Sequence, residues 1–310
     1  MNRTDQVAVC SRSFSRNPAL RAELLSRYER VTFNDAGGKL EGEGLVAFLR
    51  GQDKAIIALE RIDDYVLSRL PELSVISKYG VGLDMIDLDA MRRHGKRLGW
   101  TSGVNRRSAA ELALAFAIVM LRHVHAANRE VLSGVWRQHE GGLLSARTVG
   151  IIGCGHIGKD LVRLLQPFEC AILVNDIRHY ADFYAQFRIE PTRLEDLLAR
   201  SDVVTLHVPL DETTLGLLTA ERLGLMKPGA ILINAARGGL VDEAALKRML
   251  VEKRLAGAAF DVFSVEPPVD MELLQLPNFL ATPHIGGSAA EAILAMGRAA
   301  IQGLDDNQIP

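Results

Sequence analysis

The sequence has few cysteines, little net charge and no grouping of metal-binding residues, and each shortage excludes a class of protein. Its 310 residues include three cysteines, Cys10, Cys154 and Cys170, which are odd in number and lack metal-ligand spacing. We expect them to be reduced thiols in a cytosolic protein. The formal net charge of −2, without a basic block, argues against nucleic acid binding. No grouping of His, Asp or Glu has metal-ligand spacing, so no metal site is expected.

Long hydrophobic runs are also missing. The longest, Leu112–Leu121, is about half of the ~20 residues that a membrane-spanning helix needs, and it ends in Arg122 and His123. It is therefore predicted to be a buried helix rather than a membrane segment. Residues 1–6 are polar and contain no apolar signal-peptide core, so a cytoplasmic location is expected.

The sequence contains a repeated alternation of strand and helix patterns. With 48% hydrophobic and 24% charged residues, it fits a globular protein of about two domains. Runs of βα units predict parallel sheets covered by helices on both faces. Residues 105–134 form a mostly helical stretch that separates about five βα units from about six, so two sheets are expected. The predicted strands are residues 7–10, 31–33, 55–59, 73–77, 98–101, 148–152, 171–175, 203–207, 230–234, 256–261 and 279–282.

One glycine-rich turn has the context of a dinucleotide site. Gly153, Gly155 and Gly158 form G-x-G-x-x-G between a predicted strand and a helical pattern. The first glycine permits the tight turn, the second lets the backbone approach a pyrophosphate, and the third allows close packing of helix and strand. Free N–H groups at the start of the helix would face the phosphates. A glycine turn without a ligand is the alternative, and the order strand, turn, helix, strand, acid argues against it.

The acidic residue in this order is Asp176, which ends the next predicted strand about 20 residues after the turn. A carboxylate there accepts hydrogen bonds from the ribose hydroxyls and repels a 2′-phosphate, so NAD is the predicted cofactor. Arg178 complicates this choice, because its side chain could neutralise Asp176 or bind the 2′-phosphate. NADP therefore stays the alternative.

Three short segments near the carboxyl end each place one titratable side chain after an apolar, strand-like run. The side chains are Arg237, Glu266 and His284. An arginine, a glutamate and a histidine beside a dinucleotide site are the groups needed to move a hydride to or from the carbon next to a carboxylate.

Each of these residues also has a plainer interpretation. Arg237 could lie at a helix terminus, Glu266 could be an exposed turn carboxylate, and His284 could be a strand-end histidine satisfied by the backbone. His207 also ends a predicted strand, and it is predicted to be a wall of the cofactor cleft rather than a catalytic group.

Together these motifs resemble the D-isomer-specific 2-hydroxyacid dehydrogenase family, which includes D-3-phosphoglycerate dehydrogenases, glyoxylate/hydroxypyruvate reductases and D-lactate dehydrogenases. The resemblance covers nearly the whole chain, and its motifs stand in the family's order. The segments that carry it are Ser77–Asp84, Gly103–Asn105 with Ala110-Glu111, Gly153–Gly158, His207–Leu210, Asn234–Gly238, Phe260–Phe263 with Glu266-Pro267, and Thr282–Gly286.

The resemblance implies an α/β fold of two doubly wound parallel-sheet domains, with a Rossmann NAD-binding domain inserted into a flavodoxin-like substrate domain. Residues 1–101 and 286–310 would form the substrate domain, and residues 102–285 the NAD-binding domain. The chain ends at residue 310, so the C-terminal regulatory domain of some family members is not expected.

The resemblance also implies the catalytic roles. Arg237 would anchor the substrate carboxylate, since its planar fork matches that group. His284 would be the general acid and base, and Glu266 would hold its ring and stabilise the imidazolium. Formate dehydrogenases of similar fold have glutamine where Glu266 stands, so this glutamate argues for hydride transfer coupled to a proton.

Further residues resemble the family's binding contacts. The backbone N–H groups of Gly80, Val81 and Gly82 would bind the substrate carboxylate as a small anion nest. Asp261 would hold the nicotinamide carboxamide. The complete set of predicted cofactor-binding residues is Gly153, Gly155, His156, Ile157, Gly158, Asp176, His207, Val208, Pro209, Ala235, Ala236 and Asp261.

The identity of the substrate is predicted less directly. Phosphoglycerate dehydrogenases commonly show an Arg-Ser-x-Thr pattern after the third strand, whereas this chain has Ala58–Ile62 there. Arg61 could still bind a phosphate, but Glu60 beside it would oppose a dianion. A small unphosphorylated 2-keto acid such as glyoxylate or hydroxypyruvate is therefore predicted, with D-3-phosphoglycerate as the alternative.

The resemblance further implies a homodimer that packs through the helical region 105–136. A different class of protein remains as the competing hypothesis, namely an NAD-sensing binding protein without significant turnover, like the transcriptional corepressors that share this fold. The intact set of Arg237, Glu266 and His284 argues against it.

Overall fold

A computed structural model describes residues 4–310, and the first three residues of the polar amino-terminal segment lie outside the described part. Contacts between residues divide the described chain into two compact units. Unit 1 contains the chain through Asn105 together with Ala289–Pro310, and unit 2 contains Arg106–Ser288.

These boundaries differ by a few residues from those drawn on the sequence, which lie after residue 101 and before residue 286. Residues 286–288 stay with unit 2 because of hydrogen bonds at Gly286. Its N–H donates to the carboxylate of Asp261 at 2.7 Å, and its carbonyl accepts from the hydroxyl of Ser108 at 2.7 Å.

Both units alternate strands and helices. Within the described residues the strands are β1 (Gln6–Val9), β2 (Arg30–Phe33), β3 (Lys54–Ile57), β4 (Val75–Lys78), β5 (Arg97–Gly99), β6 (Thr148–Ile152), β7 (Ala171–Asn175), β8 (Glu190–Pro191), β9 (Val203–Leu206), β10 (Ile231–Asn234), β11 (Gly257–Phe260) and β12 (Phe279–Ala281). The α-helices there are α1 (Arg12–Arg16), α2 (Pro18–Leu25), α3 (Gly42–Leu49), α4 (Asp64–Leu67), α5 (Leu88–Arg93), α6 (Arg106–Leu121), α7 (Val124–Leu132), α8 (His156–Leu165), α9 (Ala181–Phe187), α10 (Leu194–Arg200), α11 (Ala220–Gly224), α12 (Glu243–Val251), α13 (Met271–Gln275) and α14 (Ala290–Gly303).

Unit 1 is built on a parallel sheet in the order β2-β1-β3-β4-β5. Successive residues of a strand face opposite sides of the sheet. Val7 and Val9 accordingly pack with α2 and α14, whereas Ala8 packs with α3 and α5. Helices therefore cover both faces, and the order is that of a flavodoxin-like sheet.

Unit 2 is built on a parallel sheet in the order β12-β11-β10-β9-β6-β7-β8. In the central strand β6, Ile151 packs against α6 and α8, and Ile152 packs against the opposite layer that includes α10 and α12. This is the strand order of a Rossmann domain. The predicted pair of doubly wound parallel sheets is confirmed.

The long helical stretch predicted over residues 105–134 is two helices. It breaks at His123, whose backbone is left-handed with φ 53°, and α6 and α7 meet there at an angle of 64°. Within residues 4–310 no single helix is long and apolar enough to cross a membrane, and this pair meets that criterion only jointly, by length and composition. Helix α6 buries Ala110, Phe116 and Met120 in the core of unit 2.

Candidate active site

The glycine-rich turn of unit 2 follows β6, where the order of strands reverses. The chain runs from β6 to β7 on one side, and β9 lies on the other. In open α/β sheets, ligands bind outside the carboxyl ends of the strands at such a reversal. The turn therefore lies where a dinucleotide is expected.

The three glycines of the turn have different surroundings. Gly153 has φ +95°, and a Cβ on it would lie 2.6 Å from the carbonyl oxygen of His207. A Cβ on Gly158 would lie 2.2 Å from the carbonyl oxygen of Gly153, so helix α8 packs directly on the turn. A Cβ on Gly155 would meet no described atom within 4 Å. The backbone at Gly155 is therefore open to an approaching ligand.

Asp176 lies directly after β7 and is held against the turn by backbone bonds. Its carboxylate accepts hydrogen bonds from the N–H of Cys154 at 2.6 Å and from the N–H of Arg178 at 2.7 Å. These bonds fix both oxygens beside the glycine turn, and each oxygen keeps a lone pair for a ribose hydroxyl. The Arg178 side chain makes no ion pair within the described part of the chain.

His207 follows β9 and forms part of the same turn environment. One ring nitrogen, Nε2, lies 2.9 Å from the hydroxyl of Thr205. The other, Nδ1, is shielded from solvent and has no hydrogen-bond partner among residues 4–310. Burial of the ring lowers the pKa of His207 to about 4, so the imidazole is neutral at physiological pH.

The residues around the turn fit a dinucleotide. The turn offers open backbone at Gly155 beside the first turn of α8, a carboxylate fixed at Asp176, and a buried polar atom without a partner at His207. Buried polar atoms are nearly always hydrogen-bonded, so an unpartnered nitrogen at this position suits a ligand contact.

Arg237 stands in a loop that follows β10 and is organised by Asn234. The buried amide of Asn234 donates to the carbonyl of Arg237 at 2.8 Å and accepts from the N–H of Ala236 at 3.2 Å. A Cβ on Gly238 would lie 1.9 Å from the carbonyl oxygen of Phe263, so this loop is pressed against the loop after β11. The backbone thereby fixes the position from which the Arg237 guanidinium extends.

Glu266 and His284 come from the two neighbouring strand ends and meet directly. The carboxylate oxygen Oε2 of Glu266 lies 3.0 Å from Nδ1 of His284. The other oxygen, Oε1, accepts from the N–H of Phe263 at 3.1 Å, which fixes the carboxylate. Because Nδ1 donates to the carboxylate, Nε2 is the nitrogen available to exchange a proton with a substrate. Both side chains are partly exposed, as a reactive pair requires.

The backbone at His284 is strained. Its φ is +56°, a left-handed conformation that non-glycine residues seldom adopt. The N–H of His284 is held by the carbonyls of Asp261 at 2.9 Å and Thr282 at 3.1 Å. Strained backbone that the surrounding structure enforces is concentrated at functional sites. This conformation distinguishes His284 from an ordinary strand-end histidine.

Asp261 is almost fully buried and anchors the segment that carries His284. Its carboxylate accepts hydrogen bonds from the hydroxyl of Thr282 and from the N–H groups of Ile285 and Gly286, the last two at 2.7 Å. The sequence suggested a different task, a contact with the nicotinamide carboxamide, and that contact stays a prediction. The internal bonds make Asp261 a positioning residue for His284.

The predicted anion nest lies in unit 1, directly after β4. Gly80 has φ +127°, and the N–H groups of Gly80, Val81 and Gly82 have no acceptor among the described residues. The carbonyl of Val81 accepts from the indole N–H of Trp100 at 3.0 Å, which holds the turn. Consecutive free N–H groups on a fixed turn are suited to an anion.

Three residues of these sites have a structural role that was not predicted from the sequence. Asn234 organises the Arg237 loop, Thr205 bonds the His207 ring, and the buried Lys78 donates from Nζ to the carbonyl of Ala58. All three are buried polar residues at or near the carboxyl end of a strand. This signal identifies a position but not its partner, which is a residue two or three positions further along for Thr205 and Asn234 and the end of the neighbouring strand β3 for Lys78.

Comparison with known proteins shows the family to which the chain is similar. Residues 114–286 match the model of the D-isomer specific 2-hydroxyacid dehydrogenase, NAD binding domain. A glyoxylate reductase from Pyrococcus furiosus is 37% identical over 264 residues, which are 82% of this chain and 79% of the reductase. The pyruvate reductase of Chlamydomonas reinhardtii superimposes with a TM-score of 0.84 at 27% identity, over 98% of this chain and 96% of that one.

Some similar proteins are longer than this one. A D-3-phosphoglycerate dehydrogenase from Mycobacterium bovis is 38% identical over 233 residues, which are 74% of this chain but 44% of that dehydrogenase. The chain therefore spans less than half the length of the D-3-phosphoglycerate dehydrogenase that it matches.

Proposed function

The chain belongs to the D-isomer-specific 2-hydroxyacid dehydrogenase family, and we propose that it transfers a hydride between NAD(H) and a small 2-keto or 2-hydroxy acid of D configuration. The observation that carries the proposal is the Glu266–His284 pair, at 3.0 Å, in the same unit as the dinucleotide turn. The names of similar proteins, a glyoxylate reductase and a D-3-phosphoglycerate dehydrogenase, support this class of reaction.

The residues of this chain supply binding and proton transfer. Arg237 of unit 2 has the planar fork that suits a substrate carboxylate, and the N–H groups of residues 80–82 in unit 1 suit an anion of the same kind. In the direction of reduction, His284 donates the proton on Nε2 to the carbonyl oxygen, while Glu266 holds the ring through Nδ1. The dinucleotide, when bound, supplies the hydride that the carbonyl carbon accepts. One proton and one hydride convert the ketone into the hydroxyl, and His284 regains its proton from water.

The cofactor is proposed to be NAD rather than NADP. Asp176 supports this choice, because its carboxylate is fixed beside the glycine turn and would repel a 2′-phosphate. Arg178 is the residue that would favour NADP, since its guanidinium is not engaged by an acid in the described part of the chain. His156, Ile157, Val208, Pro209, Ala235 and Ala236 are the further proposed cofactor contacts.

Within the class of 2-keto acids, there are two candidate kinds of substrate. The sequence favours glyoxylate or hydroxypyruvate, and the alternative is the substrate of D-3-phosphoglycerate dehydrogenase. The substrate of the alternative carries an anionic phosphate on its third carbon, where hydroxypyruvate has a neutral hydroxyl and glyoxylate has no carbon. The cytoplasmic location stays a prediction.

The test is the oxidation of NADH, followed by its absorbance, with glyoxylate, hydroxypyruvate, pyruvate, 2-ketoisocaproate and 3-phosphohydroxypyruvate in turn. We expect turnover with at least one of these acids and a lower kcat/KM when NADPH replaces NADH. Tight binding of NADH without turnover on any of them would favour the NAD-sensing binding protein instead.

A further inference from the structure

Unit 1 has a reversal of strand order of its own, and a cavity lies there. The chain goes from β1 to β2 on one side, and β3 lies on the other side of β1. A cavity of about 960 Å³ is lined by residues that follow β1, by the segment 39–42 and by residues that follow β3. This is the position where open α/β sheets bind ligands, and the cavity is larger than a two-carbon keto acid needs.

Most of the charged side chains around this cavity neutralise each other. Lys39 forms an ion pair with Glu41 at 2.6 Å, and Arg61 forms one with Asp63 at 3.2 Å. Asp63 also accepts from a backbone N–H at the start of α4. Arg61, the residue that the sequence offered for a phosphate, is therefore engaged by an acid.

Two cations remain. Arg12 and Arg16 line the cavity, and neither guanidinium forms an ion pair or hydrogen bond with any residue in the range 4–310. They stand four residues apart on α1, so their side chains share a face of the helix. Like charges at this spacing repel each other, and an anion placed against both removes that repulsion. The hydroxyls of Ser11 and Ser13, 3.3 Å apart, line the same cavity and can donate to it.

One acid opposes these cations. Glu60 lines the cavity and forms no ion pair with any residue in the range 4–310, and its carboxylate accepts from the N–H of Ala58 at 2.6 Å, at the end of β3. That bond holds the carboxylate against the strand end, whereas the two arginine side chains are exposed. Two unpaired cations against one unpaired acid leave the cavity with an excess of positive charge.

We propose that Arg12 and Arg16 bind a second anionic group of the substrate. This group is a phosphate or a sulfonate on the third carbon of the 2-keto acid, the carbon furthest from its carboxylate. This inference rests on the proposed function and narrows its substrate class. Guanidinium groups match such tetrahedral oxyanions with paired hydrogen bonds, and the adjoining serine hydroxyls complete the site. Among the acids considered above, the proposal selects 3-phosphohydroxypyruvate, which carries an anionic group on its third carbon.

The test compares hydroxypyruvate with 3-phosphohydroxypyruvate and 3-sulfopyruvate, with NADH as cofactor. We expect kcat/KM of the wild type to be about tenfold or more higher for one of the two acids with a second anionic group than for hydroxypyruvate. Arg12→Gln and Arg16→Gln should each raise KM for that acid by about 10- to 100-fold, the usual effect of losing a hydrogen bond to a charged group. Both variants should leave KM for hydroxypyruvate within about twofold of the wild type.

Arg61→Gln is the matched control, because it removes a charge from the same cavity that already has a partner. Circular dichroism and the Tm of each variant check that the fold is kept. A preference for the phosphate over the sulfonate, or the reverse, identifies which oxyanion the site takes.

Two results would overturn the inference and leave the proposed function intact. One is a wild-type kcat/KM for hydroxypyruvate that equals or exceeds the values for both 3-phosphohydroxypyruvate and 3-sulfopyruvate, together with unchanged kinetics in the Arg12 and Arg16 variants. The other is a selective loss on Arg61→Gln alone, which would assign the anion to that residue. Absence of turnover on every 2-keto acid would overturn the proposed function, and this inference with it.

Discussion

At the scale of single residues, the site depends on buried polar side chains that hold its reactive groups in place. Asp261 holds the segment that carries His284, and Asn234 holds the loop that carries Arg237. Removing one partner of a buried hydrogen bond leaves the other unsatisfied, at a cost of about 1–3 kcal/mol. The positions of Arg237 and His284 are therefore fixed by neighbouring buried residues that hydrogen-bond the segments carrying them.

His207 is the residue whose burial has the clearest consequence for stability. The unfolded chain has a histidine pKa of about 6.5, and burial lowers the pKa of His207 to about 4 in the folded protein. As the pH falls below about 6.5, the unfolded state takes up a proton that the folded state does not. The contribution of this residue to stability is therefore complete above that pH and is lost progressively towards pH 4.

We predict that the free energy of unfolding falls less between pH 7 and pH 5 in a His207→Asn variant than in the wild type. The difference should approach about 2 kcal/mol, since one pKa unit corresponds to about 1.4 kcal/mol. Urea denaturation at the two pH values measures it. His179→Asn, which changes an exposed histidine of the same unit, is the control. The same pH dependence in the wild type and the His207 variant would contradict this account.

Residue-level prediction from the sequence is most direct where spacing along the chain carries the information. The order of Gly153, Gly155, Gly158 and Asp176 marks a dinucleotide turn because its parts are consecutive in the chain. The neutral state of His207 could not be predicted, since it depends on which atoms cover Nδ1 in the folded protein.

At the scale of secondary structure, local sequence signals predict which segments are helices and which are strands. They predict the first and last residues of these elements less accurately. Asn17, a residue type common at helix starts, caps α2 with Pro18 at its first position, and the amide oxygen accepts from the N–H groups of Ala19 and Leu20 at 3.1 Å. The break between α6 and α7 was missed, because His123 adopts a left-handed backbone without a glycine or proline to indicate it.

Helix α7 and the segment after it expose apolar side chains. Val131 is 50% exposed, Leu132 is 80% exposed and Trp136 is 86% exposed. Clustered large apolar side chains on a surface are typical of an interface with another protein. They support the proposal that the chain forms a homodimer through residues 105–136.

We predict a dimeric mass for the wild type in sedimentation equilibrium, and weaker association for Leu132→Asp because a charge would be buried in the interface. Leu215→Asp, which changes an equally apolar side chain that is 67% exposed elsewhere in unit 2, is the control and should stay dimeric. A monomeric wild type at micromolar concentration would contradict the proposal.

At the scale of the whole molecule, two doubly wound sheets each place polar groups at a reversal of strand order. Alternating βα patterns predict parallel sheets, and the family resemblance implied the Rossmann and flavodoxin-like types that the strand orders confirm. The cavity with Arg12 and Arg16 could not be predicted in this way. Its lining comes from three separate segments, and only the order of strands brings them together.

The central claim is that His284, held by Glu266, exchanges a proton with the substrate while a hydride is transferred. The most direct test is a His284→Ala variant, for which kcat and the Kd of NADH are measured separately. The account predicts that kcat falls by about 10²- to 10⁴-fold, the usual contribution of a general acid, while the Kd of NADH stays within about threefold. Retention of more than about a tenth of the wild-type kcat would contradict it.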